Sequence, residues 1–273
     1  MRLVITGTSS GIGRALAEQL LDAGHEVWGL ARSDQSEFAA AHRGFRGARC
    51  NVADYAAVSA VAEKVAAAWP GLDGLIACAG TQGEIGRTLT ANPDRWQETV
   101  HANLVGTFNT VRAFAGLLAH APRRAKIICF SGGGATKARE NFSAYGAAKT
   151  GIVRLVETIA QEERDRPLDI NAVAPGPINT RMTEEVIRLG PGAVGEAEYR
   201  AAVEQKRTGG SSLAKVSGLV DWLLSPASDG ISGLLLSAPW DPWSELAARR
   251  ADLARSDIYR LRRIVPDDRN QKS

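Results

Sequence analysis

The 273 residues are 44% hydrophobic, enough for one sizeable α/β domain and too few for two of ordinary size. No run of about 18 apolar residues exists to span a bilayer, and a strand-like segment starts at Arg2, which leaves no room for a signal peptide and implies a cytoplasmic protein. The net charge is +3, but residues 249–273 carry eight Lys/Arg against four Asp, so the other 248 residues stand at −1; the basic excess belongs to a tail, and neither nucleic acid nor a membrane is an expected partner.

Arg2-Leu3-Val4-Ile5 reads as a buried parallel strand. The stretch Thr6-Gly7-Thr8-Ser9-Ser10-Gly11-Ile12-Gly13 follows, and then a helix whose Ile12, Leu16 and Leu20 share one face, stopped by Gly24. Strand, glycine-rich turn and helix are the parts of a dinucleotide phosphate cradle: Gly7 allows the sharp exit from the strand, Gly11 a close main-chain approach to a pyrophosphate, and Gly13 tight helix–strand packing. The spacing Gly-x-x-x-Gly-x-Gly after a threonine resembles the short-chain dehydrogenase/reductase family. That resemblance covers residues 1–237 and implies a single doubly wound Rossmann domain of class α/β, with a mostly parallel sheet flanked by helices (residues 1–240), followed by a C-terminal helical extension (241–273). It also implies that Ser9, Ser10 and Ile12 join the three glycines at the cofactor.

Glu26-Val27-Trp28-Gly29-Leu30-Ala31 is the second strand, and its end is where a Rossmann protein selects its cofactor. A carboxylate there accepts from the adenosine ribose hydroxyls; here Ala31 is followed by Arg32, which favours a 2′-phosphate and so NADP(H) over NAD(H). A solvated loop arginine is the other reading, and Asp34 is the one acid nearby. Cys50-Asn51-Val52 ends the third strand. The resembled family places an aspartate where Asn51 stands, at the adenine, and an asparagine oxygen still accepts that bond.

Leu75 to Gly80 reads as the fourth strand and its turn, with Ala77-Cys78-Ala79-Gly80 where the family shows Asn-Asn-Ala-Gly. Ala79 and Gly80 still let main chain lie against the cofactor. Asn92 caps a helix that starts at Pro93 and continues through Val111, with Asn103 inside it. Asparagine is mildly unfavourable there, so a contact is expected to hold it; the resemblance implies a water chain from Asn103 to a catalytic lysine. Cys50, Cys78 and Cys129 lie in or beside core strands and read as free structural thiols, and the four scattered histidines offer no metal-ligand spacing.

Lys126 to Ser131 is the fifth strand, followed by three glycines and a loop to a helix that begins near Tyr145. Tyr145 and Lys149 are four apart and project from one helix face. A free tyrosine, with a pKa near ~10, exchanges protons poorly at neutral pH, and an ammonium beside it is expected to lower that value. The pair then serves acid–base chemistry at a ketone or alcohol oxygen, with Lys149 also placed to hold the nicotinamide ribose. The family's serine, thirteen residues before the tyrosine, falls on Gly132; Ser131 is the first replacement, with backbone amides of the glycine loop and Ser143 as the others.

The sixth strand runs into Pro175-Gly176-Pro177-Ile178-Asn179-Thr180, which resembles the family's segment beside the nicotinamide and implies a carboxamide bond from the Ile178 backbone, assisted by Thr180. Residues 181–211 read as a lid over the strand ends. Its charges (Arg181, Glu184, Glu185, Arg188, Lys206, Arg207) suit either a polar substrate or a solvated face. After a last strand at 233–237, Trp240 and Trp243 read as packing anchors, and Leu246, Leu253, Ile258, Leu261 and Ile264 give the tail an apolar stripe.

Taken together, an NADP(H)-dependent oxidoreductase of small ketones and secondary alcohols is expected, as a homodimer or homotetramer through the helices around 104–119 and 146–163. Two rivals stand beside it: a sugar-nucleotide epimerase or dehydratase with a retained nicotinamide, and a dinucleotide sensor without turnover.

Overall fold

The computed structural model describes residues 1–269; the last residues of the basic tail lie outside the described part. Seven parallel strands form one sheet in the order β3-β2-β1-β4-β5-β6-β7. They are β1 (Arg2–Thr6), β2 (Glu26–Ala31), β3 (Phe45–Arg49), β4 (Gly74–Ala77), β5 (Ala125–Phe130), β6 (Leu168–Ala174) and β7 (Leu235–Ser237). Alternation along each strand sends side chains to two cores. Val4, Ile127 and Cys129 join Val58, Val65, Phe114 and Ile152 on one face. Leu3, Ile5, Ile128 and Phe130 join Leu16, Leu20, Leu219 and Leu223 on the other. Helices α3 (Tyr55–Ala68), α5 (Gly106–Leu118) and α6 (Ser143–Glu162) cover the first face, and α1 (Gly11–Asp22) and α10 (Leu213–Leu224) the second.

The strand order reverses between β1 and β4, and ligands of such sheets bind in the crevice at that point, beyond the carboxyl ends of the strands. Sequence and structure differ in three places that bear on this crevice. β3 stops at Arg49, although Cys50 N–H still donates to Ala31 O at 2.7 Å, so Asn51 and Val52 lie past the strand. The long helix expected from Pro93 is two: α4 (Pro93–Val100) and α5 are joined by a π-helical turn, His101–Val105, that contains Asn103. The insertion after β6 is almost wholly helical, as α7 (Arg181–Leu189), α8 (Pro191–Val194) and α9 (Glu196–Thr208).

The C-terminal segment is only partly the helix expected. A 3₁₀ turn (Trp243–Arg249) and a short α11 (Arg250–Ala254) seat Leu246 and Leu253 in the second core; α2 (Ser36–Ala41) precedes them in chain order at the other edge. The chain then lies beside β7 and α6, where Tyr259 O accepts from Leu235 N–H at 2.8 Å and Leu261 N–H donates to Glu157 at 2.6 Å. Ile258 and Ile264 stay exposed, which breaks the expected stripe. Trp243 packs on Trp222 with ring centres 6.0 Å apart, as an anchor does, whereas Trp240 is 71% exposed. At the other end of the sheet, buried Lys126 is neutralised by Asp169 at 2.9 Å and Asp229 at 2.7 Å, with Arg124 also on Asp169. All three cysteines are free. No helix among the described residues is long and apolar enough to cross a membrane.

Candidate active site

The glycine-rich turn is shaped for close main-chain approach. Gly7 has φ +81°, and a Cβ there would come within 3.0 Å of the Ala79 backbone; a Cβ on Gly13 would lie 2.5 Å from Gly7 O. A Cβ on Gly11 would stand in ordinary contact with Thr180 Cγ2, at 3.7 Å. The start of α7 at Thr180 therefore lies close over Gly11. Ser10 makes no side-chain cap to α1, and the first turn of that helix has no acid, so its N-terminal amides are open to an anion. These features fit a dinucleotide pyrophosphate.

Two buried side chains that sequence reasoning missed fix this turn. Thr6 Oγ1 accepts from Cys78 N–H and Ala79 N–H, each at 3.0 Å, which ties the turn after β4 in place of the absent asparagine amides. Gln35 accepts from Thr8 Oγ1 at 2.6 Å and donates to Gly29 O at 3.1 Å, locking the loop after β2 to the cradle. In that loop Arg32 is exposed, and the Asp34 carboxylate is held by Ser36 through Oγ at 2.5 Å and N–H at 3.3 Å. Those bonds hold the Asp34 carboxyl below its ordinary value. Asn51 is exposed and its Oδ1 accepts from Ala53 N–H at 3.2 Å, so its oxygen already has a local partner. Val52 O accepts from buried Asn109 at 3.0 Å.

Tyr145, Lys149 and Asn103 converge. A Cβ on Gly80 would meet Asn103 Oδ1 at 2.7 Å and Lys149 Nζ at 3.5 Å, and the Lys149 ammonium lies 5.4 Å from the Tyr145 ring centre. Asn103 is fully buried; its amide donates to Thr81 O at 2.9 Å and Thr99 O at 2.8 Å, and its oxygen accepts from Thr81 N–H at 3.2 Å. It thus clamps the segment after Gly80, and the π-helical turn is what aims it there. Lys149 Nζ donates to Phe130 O at 2.9 Å.

The expected ionisation is corrected. Burial pushes Lys149 down to about 8, and burial, more than any charge, pushes the Tyr145 phenol up from its ordinary value; the Arg139 guanidinium opposes that shift. In this state the phenol is a protonated donor. Cys78 and Cys129 are pushed up to about 12 by burial and stay as thiols.

The expected role of Ser131 is also corrected. Its hydroxyl is buried and donates to Lys149 O at 3.0 Å, as strand alternation dictates. Ser143 accepts from Trp96 Nε1 at 3.1 Å. Gly132 is the residue that faces the phenol.

On the far wall, Pro175, Gly176 and Pro177 turn the chain out of β6; Gly176 has φ +77°, and a Cβ there would strike Pro239 at 2.7 Å. Ile178 N–H donates to Gly176 O at 3.0 Å and Ile178 O accepts from Thr183 at 3.3 Å, so the expected carboxamide bond requires that turn to open. Thr180 Oγ1 caps α7 through Met182 N–H at 3.3 Å. The lid's inner face is apolar: Val186, Val194 and Ala202 pack with Phe142 and Tyr145. Of its charges, Lys206 pairs with Glu184 at 4.0 Å and Arg207 with Glu204 at 2.6 Å on the exposed side, which favours the solvated-face reading. One ion pair joins lid and loop, Arg139–Glu198 at 2.7 Å.

A family model described as short chain dehydrogenase matches residues 2–188. The chain belongs to this family. As a short chain dehydrogenase it is an oxidoreductase. It is 29% identical over 235 residues to the 3-oxoacyl-[acyl-carrier-protein] reductase FabG of Salmonella typhimurium, covering 84% of this chain and 92% of that protein. Solved relatives share the fold. A short chain dehydrogenase/reductase of Saccharomyces cerevisiae superposes with a TM-score of 0.81 at 20% identity, covering 89% of this chain and 97% of that one. A short chain dehydrogenase of Escherichia coli CFT073 complexed with NADPH gives 0.73 at 23%, covering 87% and 96%.

Proposed function

We propose that this short chain dehydrogenase is an NADP(H)-dependent reductase that interconverts a ketone and a secondary alcohol. The observation that carries the reading is the convergence of Tyr145, Lys149 and Asn103 on Gly80 at the carboxyl edge of the sheet, beside the glycine cradle. When bound, a reduced nicotinamide supplies the hydride. The chain does the rest. The Gly7–Gly13 turn with Ser9, Ser10 and Ile12 receives the pyrophosphate, Asn51 and Val52 flank the adenine, and Ala79, Gly80, Pro175, Gly176, Ile178 and Thr180 wall the nicotinamide end. Tyr145, kept protonated by burial, gives its proton to the carbonyl oxygen. Lys149 supplies a cation that supports the resulting phenolate and holds the ribose. Asn103 positions the turn beneath both.

Arg32, with no acid paired to it among the described residues, favours the 2′-phosphate, in keeping with the NADPH-bound relative. The apolar inner face of the lid suits a ketone with an apolar flank, and 3-oxoacyl thioesters belong in any substrate panel because of the likeness to FabG. Association into a homo-oligomer is proposed through α5, where Phe108 is 48% exposed, and α6. A second reading, a dinucleotide-binding protein without turnover, is favoured by Gly132, which leaves no serine side chain facing the phenol. Purified protein assayed with NADPH and a panel of ketones separates the two: stoichiometric NADPH oxidation supports the reductase, while tight NADPH binding with no consumption across the panel supports the sensor.

A further inference from the structure

We propose that Arg49 is a second guanidinium ligand of the adenosine 2′-phosphate, closing on it together with Arg32; the proposal rests on the NADP(H) reading above. Arg49 is the last residue of β3 and pairs in register with Ala31, the last residue of β2. Its side chain turns back over that neighbour, and Nε donates to Arg32 O at 3.0 Å. This bond fixes the plane of the guanidinium at the point where the chain leaves β2 and leaves both terminal nitrogens without a partner among the described residues. Arg32, the residue after Ala31, is likewise in no ion pair among the described residues, and both arginines are exposed. The one acid there, Asp34, is engaged first by Ser36 and more weakly by the Arg49 charge, without an ion-pair contact to it, so the incoming phosphate competes with Asp34 for Arg49.

Two like charges at one strand end repel each other and gain from an anion placed between them. A phosphate dianion accepts two bidentate guanidinium contacts, and a pre-oriented guanidinium loses little freedom on making them. A recess of about 150 Å³ opens beside Arg49, lined also by Ser33, Asp34, Ser36 and Gly47. A ribose that bears only hydroxyls offers neither arginine a charge to meet, so Arg49 acts on the choice between cofactors and not on dinucleotide binding in general. Nothing in the strand pattern marks it, because an arginine closing an edge strand reads as a solvated surface residue.

The test is equilibrium binding of NADPH, NADH, 2′,5′-ADP and 5′-AMP, followed by fluorescence or calorimetry, to the wild-type protein, Arg32→Gln and Arg49→Gln. The expected result is that Arg49→Gln weakens NADPH and 2′,5′-ADP by about tenfold and leaves NADH and 5′-AMP within about twofold, as expected when one charge-assisted contact is lost. Unchanged NADPH binding in Arg49→Gln, or an equal loss for NADPH and NADH, overturns the role of Arg49. Wild-type protein that binds NADH as well as NADPH overturns the NADP(H) reading itself, and Arg32→Gln then changes neither.

Discussion

Gly132 faces the hydroxyl of Tyr145 so closely that a Cβ built there would stand 3.0 Å from the phenolic oxygen. The side chain at this position therefore decides what the substrate oxygen meets besides the tyrosine. Gly132→Ala adds bulk without a donor and is expected to lower kcat by about tenfold as the phenol is displaced; Gly132→Ser adds the same bulk with a hydroxyl and is expected to exceed Gly132→Ala in kcat by about tenfold. Steady-state kinetics of the two variants side by side check this, and equal values would show that a hydroxyl here does nothing.

The pH dependence follows from Lys149. With the lysine held at about 8 and the phenol pushed above its ordinary value, the first proton lost on the alkaline side is the ammonium's. The reductive kcat/KM of the free enzyme is expected to fall as pH rises through about 8, and Lys149→Arg, whose charge does not titrate, is expected to move that limb upward whatever its absolute rate. Stability changes in the opposite sense. Between about 8 and 10.5 the unfolded chain keeps a proton that the folded one has released, so this group's contribution to stability rises with pH across that window.

The lid is held to the catalytic loop by the Arg139–Glu198 pair, and the Arg139 guanidinium also lies 3.7 Å from the Phe142 ring centre. Glu198→Gln is expected to raise KM by about threefold and to shift thermal stability by less than about 1 kcal/mol, the usual worth of a partly exposed pair. Steady-state kinetics and a melting curve on the same preparation read both quantities.

Far from the crevice, Asp169 holds Lys126, Arg124 and Gly230 N–H. Asp169→Asn removes one carboxylate from a buried cation that keeps the half-exposed Asp229 and the Ser228 hydroxyl, and is expected to cost about 3 kcal/mol in urea unfolding, with kcat/KM of the folded fraction unchanged.

Much of this was legible in the chain. The strand–glycine–helix start and the Tyr145–Lys149 spacing follow from periodicity and local turn chemistry, the family resemblance implies a doubly wound sheet, and the seven strands form one parallel sheet whose order reverses beside β1. What escaped depends on contacts between distant residues. Asn103 sits in a run of helical pattern, but the π-helical turn that aims it at Thr81 is a tertiary effect of packing between the end of α4 and the turn after β4. Ser131 was misread because one residue along a strand reverses the side chain's face, and three glycines suggested a bend that the loop does not make until after Gly132. Tyr145's ionisation departs from the spacing argument because burial, which spacing does not reveal, is the largest influence on the phenol, opposed by the Arg139 guanidinium. Thr6 and Gln35 act through partners that only the fold brings near.

The most direct test is Tyr145→Phe, measured for NADPH binding and for ketone-dependent NADPH oxidation on one sample. The phenol as proton donor predicts a loss of kcat of about a thousandfold or more with NADPH affinity kept within about threefold. Turnover preserved in Tyr145→Phe, with the cofactor still bound, would contradict it.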